Sequence, residues 1–281
     1  MKLKNALMCA ALAAGMLLTG CNNGDKSSGS GSSVVVDAES LGDFKGNMLA
    51  VTPKEGDLIA TFEIEGFGTI KAVLFPEAAP VGVENFQKLC EAGYYKGLKI
   101  HRVISDFMFQ GGSLNGDGTG GEALVNGGSF GIETNDNLRH FYGALCYANA
   151  GGQNSTQFYI VNNKTYDPAE DIELAEQTLA EVREMIKQSE SNSDADAVEF
   201  YKSYEEAFTG LLKILPYYSG RGGYPGLDGS YTVFGQVYEG FDVIDSISAV
   251  EVEDSGNDSQ PSKPVNDIII TNVYVSKYVE G

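Results

Sequence analysis

One run of thirteen residues constrains the fold of this chain more than any other: IHRVISDFMFQGG, which starts at Ile100. Its first half alternates as a β-strand does, which predicts that Arg102 shares a strand face with Ile100 and Ile104. His101 and Val103 then lie on the opposite face. An arginine within a buried sheet needs a carboxylate partner or a chemical role, and these residues alone leave both interpretations open.

Short strand-like segments flank this run on both sides. β-branched and alternating residues predict strands at 58–64, 69–75, 157–161, 231–238 and 268–274. Outside residues 161–224, helical spacing is limited to a segment that starts at Pro80 and to Phe241–Ile247. Many short strands with a helix near each end of the sequence favour a closed antiparallel β-barrel capped by two helices.

Charge and motif spacing exclude several classes of function. A formal charge of −20 and a pI near 4.4 argue against a nucleic-acid-binding protein, which needs clustered Lys and Arg. Gly116, Gly118 and Gly121 have the spacing of a dinucleotide fingerprint, but no βαβ unit surrounds them. His101 and His140 are the two histidines and no cysteine pair has metal-ligand spacing, so we expect no metal and no cofactor.

The N-terminal segment has the pattern of an export signal. Two lysines precede the apolar stretch Ala6–Leu18, which is too short to span a bilayer. The motif LTGC that ends at Cys21 resembles the lipobox of bacterial lipoproteins, in which the cysteine is acylated. We expect a signal peptide over 1–20 and a lipidated Cys21 followed by a flexible tether over 21–56. The alternative is an ordinary secreted protein.

Further motifs follow the run at 100–112 in a fixed order. They are YANAG at 147–151, QFYI at 157–160, LDG at 227–229 and VFG at 233–235. Together they resemble the signature of the cyclophilin family of peptidyl-prolyl isomerases, from about Leu58 to Tyr274. The resemblance implies a mainly β domain over 57–281, with a closed antiparallel barrel of eight strands capped by two helices.

The resemblance also implies a catalytic set and a proline pocket. Arg102 matches the residue that stabilises the twisted amide, and Gln110 and His101 complete the predicted catalytic set. Gln110 and Asn149 match groups that hold the substrate backbone and orient the arginine. The predicted substrate-binding residues are Phe107, Met108, Asn149, Gln157, Tyr159, Leu227 and Tyr231.

Four positions depart from the family pattern. Tyr159 stands where phenylalanine is common, and its hydroxyl needs a partner. Tyr231 replaces a frequent histidine, and Ser113 replaces a frequent acidic residue. The chain has no tryptophan, and Gly226 precedes Leu227 where many cyclophilins carry the Trp that binds cyclosporin. We therefore expect weak inhibition by cyclosporin.

Residues 166–222 form an insertion where typical cyclophilins have a short loop. Two stretches of helical spacing, separated by the polar segment 189–193, predict an inserted α-helical hairpin. Its apolar positions include Ile172, Ala175, Leu179, Val182, Ile186, Val198, Tyr201, Phe208, Leu212 and Leu215. Its outer faces are acidic. Both a solvated decoration and a docking arm for a client or partner protein are consistent with this pattern.

The sequence predicts a lipid-anchored peptidyl-prolyl cis–trans isomerase that assists the folding of exported proteins. Its expected partners are proline-containing segments of unfolded proteins and the membrane that holds the anchor. The expected location is the cell envelope, at the periplasmic face of the outer membrane. The alternative is a module on the same fold that recognises proline peptides or a partner with little turnover. Whether Cys90 and Cys146 form a disulfide stays open.

Overall fold

The computed structural model describes residues 51–135, 137–256 and 258–280. The predicted signal peptide, Cys21 and most of the predicted tether lie outside these residues. The chain divides into two compact units. The barrel unit lies within Phe44–Tyr166 and Arg221–Gly281, and the helical unit lies within Asp167–Gly220.

The described residues contain eleven strands and four α-helices. In chain order these are β1 (Leu58–Ile64), β2 (Gly68–Leu74), α1 (Pro80–Glu91), β3 (Lys99–Ile104), β4 (Met108–Gly111), β5 (Phe130–Gly131), β6 (Ala144–Ala150), β7 (Gln153–Val161), α2 (Ala169–Ser191), α3 (Ala195–Ile214), β8 (Val233–Glu239), α4 (Phe241–Ser248), β9 (Val252–Glu253), β10 (Lys263–Pro264) and β11 (Ile268–Lys277).

Eight antiparallel strands form a closed barrel. Their order is β4-β3-β11-β1-β2-β8-β6-β7, and pairing of β4 with β7 closes the ring. The two-residue strand β5 pairs with the first residues of β7, and β9 pairs with β10 in a separate ribbon. Apolar residues of α1 and α4 join the barrel core, so the predicted fold of a barrel with two capping helices is confirmed.

Aromatic rings fill the interior of the barrel unit. Phe62 lies 5.1 Å from Phe158 and Phe86 lies 5.2 Å from Phe234, measured between ring centroids. All four side chains are fully buried. Burial of each large apolar side chain contributes about 1.5–3 kcal/mol, so these rings are a major source of the barrel's stability. Cys90 and Cys146 are free thiols.

Strand β3 does not alternate as the sequence predicted. Ile100 and Val103 both pack into the core, and the register with β4 shifts between Ile100 and Arg102. Such a bulge places two residues opposite one and reverses the facing of the side chains that follow. The prediction that Arg102 shares the face of Ile100 was therefore wrong. The bulge turns the guanidinium away from the core.

The helical unit is an α-helical hairpin, as predicted. Helices α2 and α3 pack through Ala175, Leu179, Val182, Ile186 and Phe208, with Leu215 at the following 3-10 turn. Asp194 caps α3 by accepting a hydrogen bond from the Ala197 amide at 3.0 Å. Within the described parts of the chain, no helix has both the length and the apolar character needed to cross a membrane.

Candidate active site

Strands β3, β4 and β7 bring three predicted site residues together. Arg102 lies opposite Gln110 in the strand register. Gln110 Nε2 donates to Gln157 Oε1 at 2.9 Å, and Gln157 Nε2 donates to the Gly118 carbonyl oxygen at 2.9 Å. This row of amides links β4, β7 and the glycine-rich loop. It holds polar groups beside Arg102 at positions from which a peptide backbone could be bound.

Asp258 accepts hydrogen bonds from the guanidinium of Arg102 with both carboxylate oxygens. Arg102 Nε donates to Oδ2 at 2.8 Å and Nη2 donates to Oδ1 at 2.7 Å. The third nitrogen, Nη1, faces the Met108 sulfur at 3.7 Å. The Arg102 side chain remains 28% exposed. The sequence left open whether Arg102 has a carboxylate partner or a chemical role, and this geometry is compatible with both at once.

Asp258 is held in its ionised form. The hydrogen bonds from Arg102 lower the pKa of this carboxyl below its ordinary value of 3.8, and Ser262 lowers it further, although burial opposes the shift. Ser262 Oγ donates to Asp258 and is itself almost fully buried, at 1% exposure. The carboxylate is therefore charged at neutral pH and available as a two-point acceptor.

His101 is neutral at physiological pH. Burial lowers the pKa of its imidazole to about 4, and the adjacent Arg102 cation acts in the same direction. The carboxylates of Asp117 and Asp258 oppose the shift without cancelling it. A ring with this pKa is not an acid at pH 7, so His101 contributes shape and dipole to the site.

The predicted apolar residues Met108, Phe107, Tyr159 and Tyr231 are here called the apolar wall, and of these Met108 contacts the arginine. Tyr159 is 3% exposed, and its ring packs edge-on against Tyr231 with the ring centroids 5.9 Å apart. Met108 is 2% exposed, and the ring of Phe107 packs on Tyr224 at 4.7 Å. The structure thus brings Met108 into contact with Arg102 and Tyr159 into contact with Tyr231.

Two further predicted substrate-binding residues lie on a 3-10 turn and near the end of strand β6. Leu227 is partly buried at the end of the 3-10 turn Pro225–Leu227. Asn149 donates from Nδ2 to the Ser230 carbonyl at 3.0 Å and accepts from the Gly152 amide at 3.2 Å. Asn149 therefore fixes the loops at the end of β6, while the two-point contact with Arg102 belongs to Asp258.

A cavity of about 250 Å³ opens next to the guanidinium. The side chains that line it include His101, Arg102, Gln110, Asp117, Asp258 and Lys263. In the parts of the chain that the structure describes, no group of three or more His, Cys, Asp or Glu side chains is arranged to hold a metal ion. The polar side chains that line the cavity offer charge and hydrogen bonds to a ligand.

Comparison with known proteins decides the family. The family model described as "Cyclophilin type peptidyl-prolyl cis-trans isomerase/CLD" matches residues 59–275. This chain belongs to the cyclophilin family. Two relatives carry the name "Putative peptidyl-prolyl cis-trans isomerase". The Staphylococcus haemolyticus protein is 34% identical over 209 residues, 74% of this cyclophilin and 86% of the relative. A Staphylococcus aureus protein is 33% identical over 211 residues, 75% and 88% of the two chains.

Solved structures show the same fold. A cyclophilin-type peptidyl-prolyl cis-trans isomerase of Cryptosporidium parvum aligns with a TM-score of 0.53 at 21% identity, covering 79% of this cyclophilin and 99% of that chain. A second structure of that protein, in the presence of the dipeptide Ala-Pro, gives a TM-score of 0.52 at 22% identity, with coverages of 78% and 99%.

Sequence reasoning missed several residues of the site in this cyclophilin. Asp258 lies 156 positions from Arg102, and no local pattern links the two. Tyr224, which packs on Phe107, belongs to no motif that would mark it as a site residue. Asp228 did stand within a recognised motif. Its Oδ1 contacts His140 Nδ1 at 2.8 Å, and the His140 ring stacks on Tyr159 with ring centroids 6.1 Å apart, so Asp228 fixes a ring that packs on the apolar wall.

Proposed function

We propose that the protein is a peptidyl-prolyl cis–trans isomerase that acts on X-Pro bonds of unfolded polypeptide segments. The observation that carries this proposal is the fixed guanidinium of Arg102. Two of its nitrogens are held by Asp258, and the third is directed at the apolar residue Met108. A permanent positive charge with a defined direction beside an apolar wall suits a substrate that is apolar in its proline ring and polar in its amide.

The reaction requires no bond to be made or broken. Partial double-bond character gives the peptide bond a rotational barrier of about 18–20 kcal/mol, and X-Pro bonds isomerise in tens to hundreds of seconds. Twisting the bond takes the nitrogen lone pair out of resonance, so the nitrogen becomes a hydrogen-bond acceptor. A site that binds the twisted amide better than the planar one lowers the barrier.

Each part of the site has a role in this scheme. Arg102 supplies a charged donor for the twisted nitrogen, a form of preorganised electrostatic stabilisation. Met108, Phe107 and Tyr159 supply the apolar surface for the proline ring. Gln110 and Gln157 supply amide groups for the backbone of the bound segment. Neutral His101 adds no second charge that would compete with Arg102 for the polar groups of the substrate.

The test is the cis-to-trans rate of an Ala-Pro tetrapeptide with the wild type, Arg102→Ala and Lys99→Ala. Removal of one preorganised donor typically lowers kcat about 100-fold to 1000-fold, and we expect a loss of that size for Arg102→Ala. Lys99 is the matched control, a cation on the same strand that pairs with Asp267 at 2.6 Å. Wild-type protein that binds proline peptides without accelerating isomerisation would instead indicate a recognition module.

We also propose that the protein is a lipoprotein of the cell envelope that assists exported proteins. The support is the sequence alone: two lysines, the apolar stretch Ala6–Leu18 and the motif ending at Cys21. The acidic composition suits work near anionic lipid, since it keeps the domain off the membrane surface. The tether over 21–56 then gives the domain reach from an acylated Cys21.

Fractionation and mass spectrometry test this location. We expect the mature N-terminus to be an acylated Cys21 and the protein to sediment with the outer membrane. Cys21→Ser should abolish acylation and leave an uncleaved precursor. Unmodified Cys21 in a soluble, cleaved protein would contradict the anchor, and an acylated protein in the inner membrane would contradict only the proposed outer-membrane location.

We propose, finally, that the helical unit binds basic, partly apolar segments of unfolded clients. Residues 167–220 carry 13 acidic and four basic side chains, a net charge of −9. On α3, Phe200 is 46% exposed. Its ring centroid lies 5.3 Å from that of Tyr201 and 5.0 Å from that of Tyr204. Exposed aromatic surface within a negative field favours cationic segments with apolar side chains.

A further inference from the structure

Asp258 sits on a segment that is firmly attached to the catalytic strand. The residues between β9 and β10 carry it, and the two strands pair through Val252 and Pro264. The backbone amide of Val103 on β3 donates to the Ser262 carbonyl at 2.7 Å. The Ser262 side chain in turn donates to Asp258. The carboxylate is therefore fixed relative to β3, the strand that carries Arg102.

The carboxylate of Asp258 and the guanidinium of Arg102 are joined by two hydrogen bonds. A guanidinium and a carboxylate joined by two parallel hydrogen bonds share a plane, which sets direction as well as distance. Because Asp258 binds Nε and Nη2 of the guanidinium, the remaining nitrogen, Nη1, is the one that faces Met108.

We propose that Asp258 is a positioning residue for the isomerase reaction and aims Arg102 Nη1 at the site where the prolyl nitrogen twists. This inference rests on the proposed function. In this role Asp258 acts through Arg102 and needs no contact of its own with substrate. Without the carboxylate, the long Arg102 side chain samples several rotamers, and its charge must be reoriented in each catalytic cycle. A misplacement of about 1 Å at a catalytic group can lower the rate about 100-fold.

The opposite role would be sequestration, in which Asp258 neutralises Arg102 until substrate displaces it. The two roles predict opposite changes in rate. If Asp258 positions Arg102, its removal lowers kcat. If it sequesters Arg102, its removal frees the guanidinium and raises kcat. The exposure of the Arg102 side chain in the paired state, 28%, favours positioning because the side chain stays partly accessible while it is held.

The first experiment compares the wild type with Asp258→Asn and with Asp267→Asn in the tetrapeptide assay. The amide that replaces the Asp258 carboxylate retains the side-chain shape and one acceptor oxygen but loses the charge and the two-point acceptor. We expect kcat to fall about 10-fold with KM changed less than about twofold, since orientation and not substrate binding is lost. Asp267 is the matched control, because its partner Lys99 lies on the same strand. An unchanged or raised kcat in Asp258→Asn overturns the proposal.

A double-mutant cycle separates positioning from a general effect on folding. If Asp258 acts only through Arg102, then Asp258→Asn added to Arg102→Ala lowers the residual rate no further. A loss in that background as large as in the wild type would mean that the substitution damages the β9–β10 ribbon or the fold, and the proposal would be wrong.

NMR of the Arg102 side chain tests the geometry independently of activity. In the wild type, the Nε–H group bound to Asp258 should give a sharp resonance protected from exchange with water. Asp258→Asn should broaden or lose it, whereas Asp267→Asn should not. Loss of the resonance with an unchanged isomerase rate would overturn the positioning role and leave the proposed function intact. Absence of acceleration by the wild type would refute the proposed function itself.

Discussion

At the scale of single residues, the hydroxyl of Tyr159 stands out because it is buried with only a weak polar neighbour. The residue is 3% exposed, and no oxygen or nitrogen among the described residues hydrogen-bonds to its hydroxyl. The Cys146 thiol lies opposite it in the strand register, and sulfur is a weak hydrogen-bond partner. Burial raises the pKa of the phenol well above its ordinary value, so the group stays neutral.

We therefore expect Tyr159→Phe to leave the protein as stable as the wild type or about 1 kcal/mol more stable, because the buried hydroxyl that is removed has only a weakly bonding thiol beside it. Urea unfolding measures the change. Tyr147→Phe is the matched control. That hydroxyl accepts from Asn85 at 3.1 Å and donates to the Gly82 carbonyl at 2.9 Å, so its removal should cost about 1–2 kcal/mol. A destabilised Tyr159→Phe would show that its hydroxyl has a stabilising partner.

His101 makes the stability of the fold depend on pH in a predictable direction. Its folded pKa of about 4 lies below the ordinary value of 6.5, so between these values the unfolded chain binds a proton that the folded protein does not. The contribution is fully present above pH 6.5 and is lost as pH falls toward 4. Its size is on the order of 2–3 kcal/mol, from about 1.4 kcal/mol per pKa unit and partial burial.

Unfolding in urea at about pH 7 and about pH 4.5 tests this expectation with the wild type and His101→Gln. Both proteins lose stability on acidification because carboxyl groups also titrate. The wild type should lose more than the variant by on the order of 2 kcal/mol, since only the wild type carries the imidazole. Equal losses would mean that the pKa of His101 is not depressed.

At the scale of elements, Asn85 joins α1 to two strands and a loop. Its Nδ2 donates to Tyr147 on β6 at 3.1 Å and to the Ser155 carbonyl on β7 at 2.8 Å. Its Oδ1 accepts from the Leu124 amide at 2.8 Å, which ties down the loop that follows the glycine-rich segment. The side chain is fully buried. A helix, the barrel and a loop near the site thus depend on one amide.

Asn85→Ala should lower the free energy of unfolding by about 3 kcal/mol, since three hydrogen bonds are lost and buried groups are left without partners. Lys88→Ala on the same helix is the control. It removes an exposed ion pair with Glu84, worth under about 1 kcal/mol. Equal effects of the two substitutions in urea unfolding would refute the role assigned to Asn85.

Strand patterns and helical spacing were enough to predict most elements, because side-chain periodicity follows directly from backbone geometry. The bulge in β3 escaped prediction, since one extra residue shifts the facing of Arg102 without changing the composition of the strand. Asp258 escaped for a different reason. Its contact with Arg102 depends on how the β9–β10 ribbon lies against β3, and no spacing along the chain encodes that approach.

At the scale of the whole molecule, we expect the barrel unit to tolerate removal of the helical unit. The Gly223 amide donates to the Asn163 carbonyl at 2.6 Å, so the chain leaves and re-enters the barrel unit at adjacent points. Replacing Tyr166–Gly222 with a short Gly-Ser linker should leave tetrapeptide kcat/KM within about twofold of the wild type, because the residues around Arg102 are all retained.

The same deletion should slow catalysis of proline-limited refolding of an unfolded protein several-fold, because the proposed client-binding surface is lost. The control is a full-length variant with Phe200→Ser, which removes the exposed ring and keeps the acidic charge. An intermediate loss in that variant would separate the aromatic contribution from the electrostatic one. Equal retention of both activities in the deletion would mean that the helical unit takes no part in client binding.

Closure of the barrel also affects how the protein can meet an unfolded chain. An open sheet edge offers unpaired amides and carbonyls that can recruit an extended segment and seed aggregation. Among the described residues, pairing of β4 with β7 seals the main sheet and leaves only the two-residue strand β5 at its margin. The main sheet therefore offers an unfolded chain almost no free edge for strand addition. Under the proposed function, we expect a polypeptide to be bound by the side chains around Arg102 and to be released without unpairing a strand.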